Sequence, residues 1–456
     1  MVRAAPPELP GSKIVESPLD RALALALADE REAALRWALA VVQADLAAPS
    51  GLLLAGRLLA DLGRKEVAKQ ALEVCVGRSI DAGILPLAVA ACSDLRKLGH
   101  DPAVHFDAIA DAFSADSKRL GDGVPPPPPL PPADDFHPLP SVLSGMALLN
   151  KATAIVHDAK SKWDEAESLR DVEPVVSPSQ LFSAIGRSGL RKMIEVFEVR
   201  TVNKGAKVIE QGATGAEAYI LARGELEVVR EAEGGNEKPI VLAHLHTGAI
   251  FGEMALLSRA PRAASVVAIK PSIVLVGRKD ALDGVAESEP QVGEELANHC
   301  RRRMVQNLER TSTVLGAVAP RERPALVERF VTQSYEKGEK LIGQGDEPTG
   351  LHLIASGEVA VVRHEAGGEP FVLATLTAGD TVGEVALVLR RPSTADVVAV
   401  HPTVTLFLPK QAFLDLIKEH PLLIAQLYAI AIQRDDETMS IVEQDVMSAD
   451  ADDFIV

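Results

Sequence analysis

The period of the apolar positions changes along the chain, and the changes divide it. From residue 18 to 120, Ala and Leu recur at helical spacing and are interrupted by Gly rather than by β-branched runs, which predicts an all-helical region. Between 121 and 140 the periodicity stops. Pro125 to Pro129 are consecutive, and Pro131, Pro132, Pro138 and Pro140 follow. Proline has no amide to donate and its φ is fixed, so this stretch reads as an extended polyproline II linker. Helical spacing returns over 141–178. From 179 onward, Val/Ile/Leu-rich stretches alternate with Gly-centred turns about every eight to twelve residues, the rhythm of antiparallel strands. Two helical runs, Ala281 to Arg310 and Ala412 to Arg434, close the two strand series.

Those two series are copies of each other. Lys204-Gly205, Gln211-Gly212 and Gly224-Glu225 recur 133 residues later as Lys337-Gly338, Gln344-Gly345 and Gly357-Glu358. Gly252-Glu253 and Pro261 recur as Gly383-Glu384 and Pro392 with the offset reduced to 131. The missing pair falls in a hairpin, Gly234-Gly235-Asn236 against Gly367-Gly368. The expected fold is multidomain α+β: an N-terminal all-α helical repeat or bundle, then two β-roll (jelly-roll) barrels with flanking helices. The barrels span 179–311 and 312–434; residues 1–17 read as a disordered N-terminus and 435–456 as an acidic tail. In the helical third, Leu62-Gly63 and Leu98-Gly99 lie 36 residues apart. This resembles a degenerate tetratricopeptide array without most of its aromatic packing positions, and a plain bundle fits as well.

Charge narrows the function classes. Against 47 Lys and Arg stand 64 Asp and Glu in 456 residues, a net charge of −17, which argues against a general nucleic-acid binder. The segment after Arg434 carries eight acidic residues and no Lys or Arg and ends in Asp453-Phe454-Ile455-Val456, a flexible tail or a docking peptide. Cys75, Cys92 and Cys300 are too few and too scattered for a disulfide framework or a zinc site. No apolar run approaches a membrane span, and the N-terminus has no signal-like apolar stretch, so the expected location is the cytoplasm.

The first strand series is broken by Phe251-Gly252-Glu253-Met254-Ala255-Leu256-Leu257, then Ser258-Arg259-Ala260-Pro261-Arg262-Ala263-Ala264-Ser265-Val266. Glycine lets backbone approach a ligand, and the following residues favour a short helix. Arg262 is a permanent fork donor suited to phosphate, and Glu253 an acceptor suited to a sugar hydroxyl. The run resembles the phosphate-binding cassette of cyclic-nucleotide-binding domains, F-G-E-x-A-L followed by P-R-A-A-[ST]-V, the barrel type found in catabolite activators and kinase regulatory subunits. The resemblance implies that Glu253 accepts the ribose 2′-hydroxyl, that Arg262 pairs with the cyclic phosphate, and that backbone around Phe251, Gly252, Met254, Ala255, Ala263 and Ala264 supports both. Ala263, where cGMP-preferring relatives carry Thr, implies cAMP. No aromatic base cap stands in residues 280 to 311, which leaves Leu296, His299, Arg303 and Met304 as candidates.

The second copy keeps Gly383, Glu384, Val385 and Ala386 as a weaker candidate site, but Ser393 stands at the arginine position and Asp396 replaces Ser265. A lost cation plus an added carboxylate predicts a site that has lost or altered its ligand. Arg390 and Arg391 precede Pro392 and belong to another turn. His244-Leu245-His246 resembles a cupin metal strand without a third ligand; no metal is expected. The leading reading is a non-catalytic cyclic-nucleotide receptor that docks proteins through its helical region or acidic tail. The alternative is an interaction scaffold whose barrels bind no nucleotide. A basic helix-turn-helix after the barrels and a kinase-inhibitor segment before them are both absent from the sequence.

Overall fold

The computed structural model describes residues 15–44, 49–121, 129–231, 239–257, 261–316, 318–323, 326, 328–364, 370–420, 424–425 and 427–434. Residues 1–14 of the N-terminal stretch, Pro125 to Pro128, the glycine pairs Gly234-Gly235 and Gly367-Gly368, Ser258 to Ala260 and the acidic tail 435–456 lie outside them.

Six helices open the fold: α1 Pro18–Leu27, α2 Arg31–Gln43, α3 Pro49–Asp61, α4 Lys65–Asp81, α5 Leu85–Lys97 and α6 Ala103–Phe113. Helix α1 starts on a reciprocal cap: Ser17 Oγ accepts from the Asp20 amide at 3.2 Å, and the Asp20 carboxylate accepts from the Ser17 amide at 2.9 Å. Gly63, Gly83 and Gly99, at φ +81°, +71° and +86°, terminate α3, α4 and α5 in the left-handed conformation. The Gly63 and Gly99 turns expected from the sequence are thus joined by a third. Successive helices pack on one another, and α7, Gly145–Ser168, lies against α2 and α4.

The proline-rich stretch is no free spacer where it is described. Ala133 is buried and its amide donates to Glu16 O at 2.8 Å, and the Leu139 amide donates to Arg36 O at 3.3 Å. The non-proline residues within the run retain amides that tie it to α1 and α2.

Each strand series forms two four-stranded antiparallel sheets. In the first, β1 Glu198–Val202, β2 Lys207–Ile209, β3 Glu217–Arg223, β4 Leu226–Arg230, β5 Ile240–Leu245, β6 Ile250–Phe251, β7 Ser265–Ala268 and β8 Ser272–Arg278 pair in the orders β1-β8-β3-β6 and β2-β7-β4-β5. In the second, β9 Val331–Tyr335, β10 Lys340–Ile342, β11 Gly350–Ser356, β12 Glu358–Arg363, β13 Phe371–Thr377, β14 Thr381–Val382, β15 Asp396–Ala399 and β16 Thr403–Pro409 repeat those orders as β9-β16-β11-β14 and β10-β15-β12-β13. The sheets are open, so each jelly roll is a sandwich rather than a closed barrel. Gly224 and Gly357 recur for a steric reason: at φ +106° and +94°, a Cβ would fall 2.1 Å from Ser272 Oγ and 2.5 Å from Thr403 Oγ1.

The described chain divides into two compact units. One contains the described residues up to Glu210, Glu217–Phe251 and Ala264–Leu296; the other contains Gln211–Ala216, Gly252–Ala263 and the described residues from Ala297. In the first, Tyr219, Leu221, Phe251, Val274 and Val276 build the sandwich core. Here α5 packs on β1 and β3, Arg96 Nη1 donates to Glu195 O at 3.0 Å, and Arg223 of β3 reaches Asp20 at 2.6 Å with side chains only 10% and 5% exposed. In the second, Met304 and Leu308 of the long helix Pro290–Thr311 share a core with Leu351, Leu406 and Phe413.

Candidate ligand-binding cassettes

Phe251 ends β6, its ring stacked on Tyr219 with centroids 5.2 Å apart. Gly252 follows at φ +71°, a turn that a side chain would strain. The predicted short helix is Met254–Leu257. It sets Glu253 inward: that residue is 5% exposed, whereas Ala263 is exposed and Ala264 half-buried. Ala255 is buried, and Met254 packs on the core that contains Met304 and Leu351.

Arg262 and Glu253 belong to one arrangement. Arg262 Nη1 donates to Gly252 O at 2.7 Å, so the cassette cation closes onto the turn that presents Glu253. The backbone of Arg262 is itself clamped, accepting from the Gly212 amide at 2.8 Å and donating to Ala213 O at 2.9 Å. Its guanidinium runs along Gly215, where a Cβ would come within 2.9 Å of Nη2. Glu253 is held from a helix as well: Arg303 Nε stands 3.5 Å from Oε1, and Cys300 Sγ lies 3.4 Å from the Glu253 carbonyl oxygen. Burial pushes the Glu253 carboxyl above the usual range, against the opposing pull of Arg303, its own amide and Arg262.

Among the base-cap candidates, Met304 is committed to the core and Arg303 to Glu253. His299 is 5% exposed, and burial, with Arg302 and Arg303 beside it, drives its pKa down to about 4. Gly215 and Arg303 are site residues that the cassette pattern does not contain. Both carry a signal in the repeat: Arg303 recurs 131 residues later as Arg434, whereas Gly215 becomes Pro348 in the copy that has Ser393 for Arg262.

The second cassette preserves the backbone of the first. Gly345 donates to Ser393 O at 2.8 Å and Ser393 donates to Asp346 O at 2.9 Å, the same clamp with serine at the arginine position. Gly383 takes φ +90°, and Glu384 opens the helix Glu384–Leu389 at 1% exposure. Arg434 Nη1 donates to Glu384 Oε1 and to Thr381 O. A pocket is lined by Gly383, Glu384, Val385, Ala386, Ser393, Arg434 and the sheet residues Ile342, Val361, Leu376 and Val397. Arg390, left-handed at φ +52°, caps the cassette helix, and neither it nor Arg391 lines this pocket.

Asp396 is not the source of repulsion that its position suggests. It accepts from the Gln344 amide at 2.6 Å, Lys340 Nζ at 2.7 Å and His364 Nε2 at 3.1 Å. Burial raises its pKa, but Lys340 and the Gln344 amide outweigh that and hold the carboxyl below the usual range. At the matching positions of the first copy, Lys207 and Ser265 both meet Glu231, at 2.8 and 3.2 Å. The carboxylate has changed places between the copies while its lysine has stayed.

His244 and His246 lie near Glu227 and Glu225, at 3.6 and 3.8 Å, as parts of surface pairs. No group of three His, Cys, Asp or Glu residues fit to hold a metal occurs among the described residues.

Residues 199–289 and 332–420 match the family model described as cyclic nucleotide-binding domain, one match on each sandwich. The two sandwiches are thus cyclic-nucleotide-binding domains in tandem. Among curated proteins, the chain is 31% identical over 239 residues to a cAMP-dependent protein kinase regulatory subunit of Yarrowia lipolytica, covering 51% of this chain and 58% of the relative. It is 30% identical over 234 residues to the type II regulatory subunit of Drosophila melanogaster, again over 51% and 58%. The chain therefore spans little more than half the length of these relatives. A solved regulatory domain of Toxoplasma gondii PKA with cAMP aligns with 56% of this chain and 92% of its own, at 22% identity and a TM-score of 0.27. Among the described residues no helix is long and apolar enough to cross a membrane.

Proposed function

We propose that this protein is a non-catalytic, cytoplasmic cyclic-nucleotide receptor whose first cassette binds cAMP and changes what the rest of the chain docks. Arg262 takes the cyclic phosphate, Glu253 the ribose 2′-hydroxyl, and the backbone from Phe251 to Ala255 with Ala263 and Ala264 encloses them. The observation that carries this reading is that Arg262 and Glu253 converge on one clamped turn within a domain-family match. Ala263 in place of a hydroxyl residue supports cAMP over cGMP.

Coupling is supported by the company the cassette keeps. Gly252–Ala263 belongs to the same compact unit as the second sandwich, with Met254 on its core and Glu253 on Arg303. A ligand hydroxyl that draws on Glu253 changes the partner of a helix shared with that core, and a packed core responds by shifting as a body. In this reading residues 18–120, a tetratricopeptide-like array, and the acidic tail 435–456 offer the protein-docking surfaces, and residues 121–178 connect the array to the receptor domains 179–311 and 312–434. Isothermal titration of the full chain tests the core claim: one cAMP per chain is expected, with cGMP weaker, and absence of heat with either nucleotide at millimolar concentration overturns it.

A further inference from the structure

The two cassettes differ in charge balance, and that difference selects different ligands. Around the first stand Glu253, Arg262 and Arg303, a net charge of +1 that complements a cyclic phosphate monoester carrying −1. Around the second, Ser393 has removed one cation, and the remaining one, Arg434, is already paired with Glu384. That pair cancels, and the nearby Asp380 adds negative potential at Glu384, so the site offers no positive charge to an anion. Pro348 also stands at the repeat position of Gly215, along which the Arg262 side chain runs in the first cassette.

Yet the site retains a polar anchor. Glu384 is 1% exposed, its Oε1 is engaged by Arg434, and its Oε2 is buried with no hydrogen-bond partner among the described residues. A buried carboxylate oxygen costs free energy unless a donor meets it, and a hydroxyl is the donor that brings no charge. The pocket onto which Glu384 faces has a serine at the former phosphate position and apolar walls from Ile342, Val361, Leu376 and Val397, suited to a flat ring.

We propose that the second sandwich binds an uncharged ribonucleoside, with Glu384 accepting from a ribose hydroxyl and the sheet walls covering the base. This extends the reading of the first cassette as a cyclic-nucleotide site but is tested independently of it. Full-length protein carrying Arg262→Ala is titrated calorimetrically with adenosine, guanosine, cytidine, uridine and cAMP. At least one ribonucleoside is expected to bind once per chain, at least tenfold tighter than cAMP binds that variant. Adding Glu384→Ala is expected to weaken nucleoside binding at least tenfold. Ala374→Trp, which enlarges an exposed lining residue of the pocket and removes neither Glu384 nor Arg434, is expected to do the same should the first change unfold the domain. No nucleoside heat up to 1 mM, tighter cAMP than nucleoside, or unchanged affinity in Ala374→Trp each overturns the proposal. Failure of the first-cassette reading shows separately, as absent cAMP binding to the unaltered chain.

Discussion

Arg303 holds Glu253 from a helix fifty residues further along the chain, and the same relation recurs 131 residues later as Arg434 on Glu384. The cassette glutamate is therefore oriented from outside its own motif. Because burial sets its carboxyl above the ordinary range, cAMP affinity is expected to fall as pH drops toward that raised value, where the carboxyl gains a proton and stops accepting the ribose hydroxyl. In Arg303→Ala the loss begins at higher pH, since the largest opposing charge is gone. Titration calorimetry from pH 8 to 5 checks the order of the two curves, and coincident curves refute it.

Removing the cation proposed to meet the phosphate is expected to have a larger effect. Arg262→Ala is expected to lower cAMP affinity more than tenfold, above about 1.4 kcal/mol, with unchanged circular dichroism. A residual affinity within about threefold of the parent relocates the phosphate site.

The Asp20–Arg223 pair joins α1 to the first sandwich at 2.6 Å in near-complete burial. Cutting it on one side leaves an uncompensated buried charge, so Asp20→Ala is expected to cost about 3–5 kcal/mol in urea unfolding. Asp20→Ala with Arg223→Leu recovers part of that loss. A cost under about 1 kcal/mol shows that the helical region and sandwich are held together elsewhere.

Two buried histidines make the second unit acid-sensitive. Desolvation lowers both His299 and His352 from 6.5 to about 4, and His352 Nδ1 lies 3.2 Å from Thr405 Oγ1. A histidine whose folded pKa is depressed contributes stability that is complete above pH ~6.5 and is lost as pH falls toward ~4, because only the unfolded chain takes up the proton. The slope is expected to reach about 1.4 kcal/mol per pH unit for each histidine. Thermal melts from pH 7.5 to 4 should show it, and His352→Gln should flatten it.

The three cysteines are buried, and burial pushes the Cys75 thiol up to about 12. Iodoacetamide at pH 7.5 is expected to label none in the native protein and all three in guanidinium; prompt native labelling refutes the packing.

Much of this arrangement could be read from the sequence because the duplication provides an internal comparison. Strand rhythm and the recurrent Gly-Glu turns marked two antiparallel jelly rolls, since Gly224 and Gly357 admit no side chain, while the strand order and the open sandwich came only from the structure. The Phe251 to Val266 run located Glu253 and Arg262. Arg303 was legible only as a candidate base cap; its pairing with Glu253 was not, because a helix brings it to the cassette from fifty residues away, and its recurrence at 434 is the signal for that role. Asp396 misled as an isolated substitution, because its meaning depends on Lys340 of β10 and on His364 just past the end of β12. Composition alone did not mark the two amides, of Ala133 and Leu139, that hydrogen-bond the described part of the proline-rich stretch to Glu16 and Arg36.

The relocated carboxylate makes the two cassettes non-interchangeable parts. Transplanting residues 251–265 into the second sandwich would place Ser265 where Asp396 stands and leave Lys340 and His364 without an acid. The reverse graft would bring an aspartate against Glu231, two acids competing for Lys207. A functional chimera therefore requires exchange of the strand residue and its hairpin partner together, 231 with 265 or 364 with 396. Each cassette is portable only with an accessory residue that lies some thirty positions upstream and outside every motif.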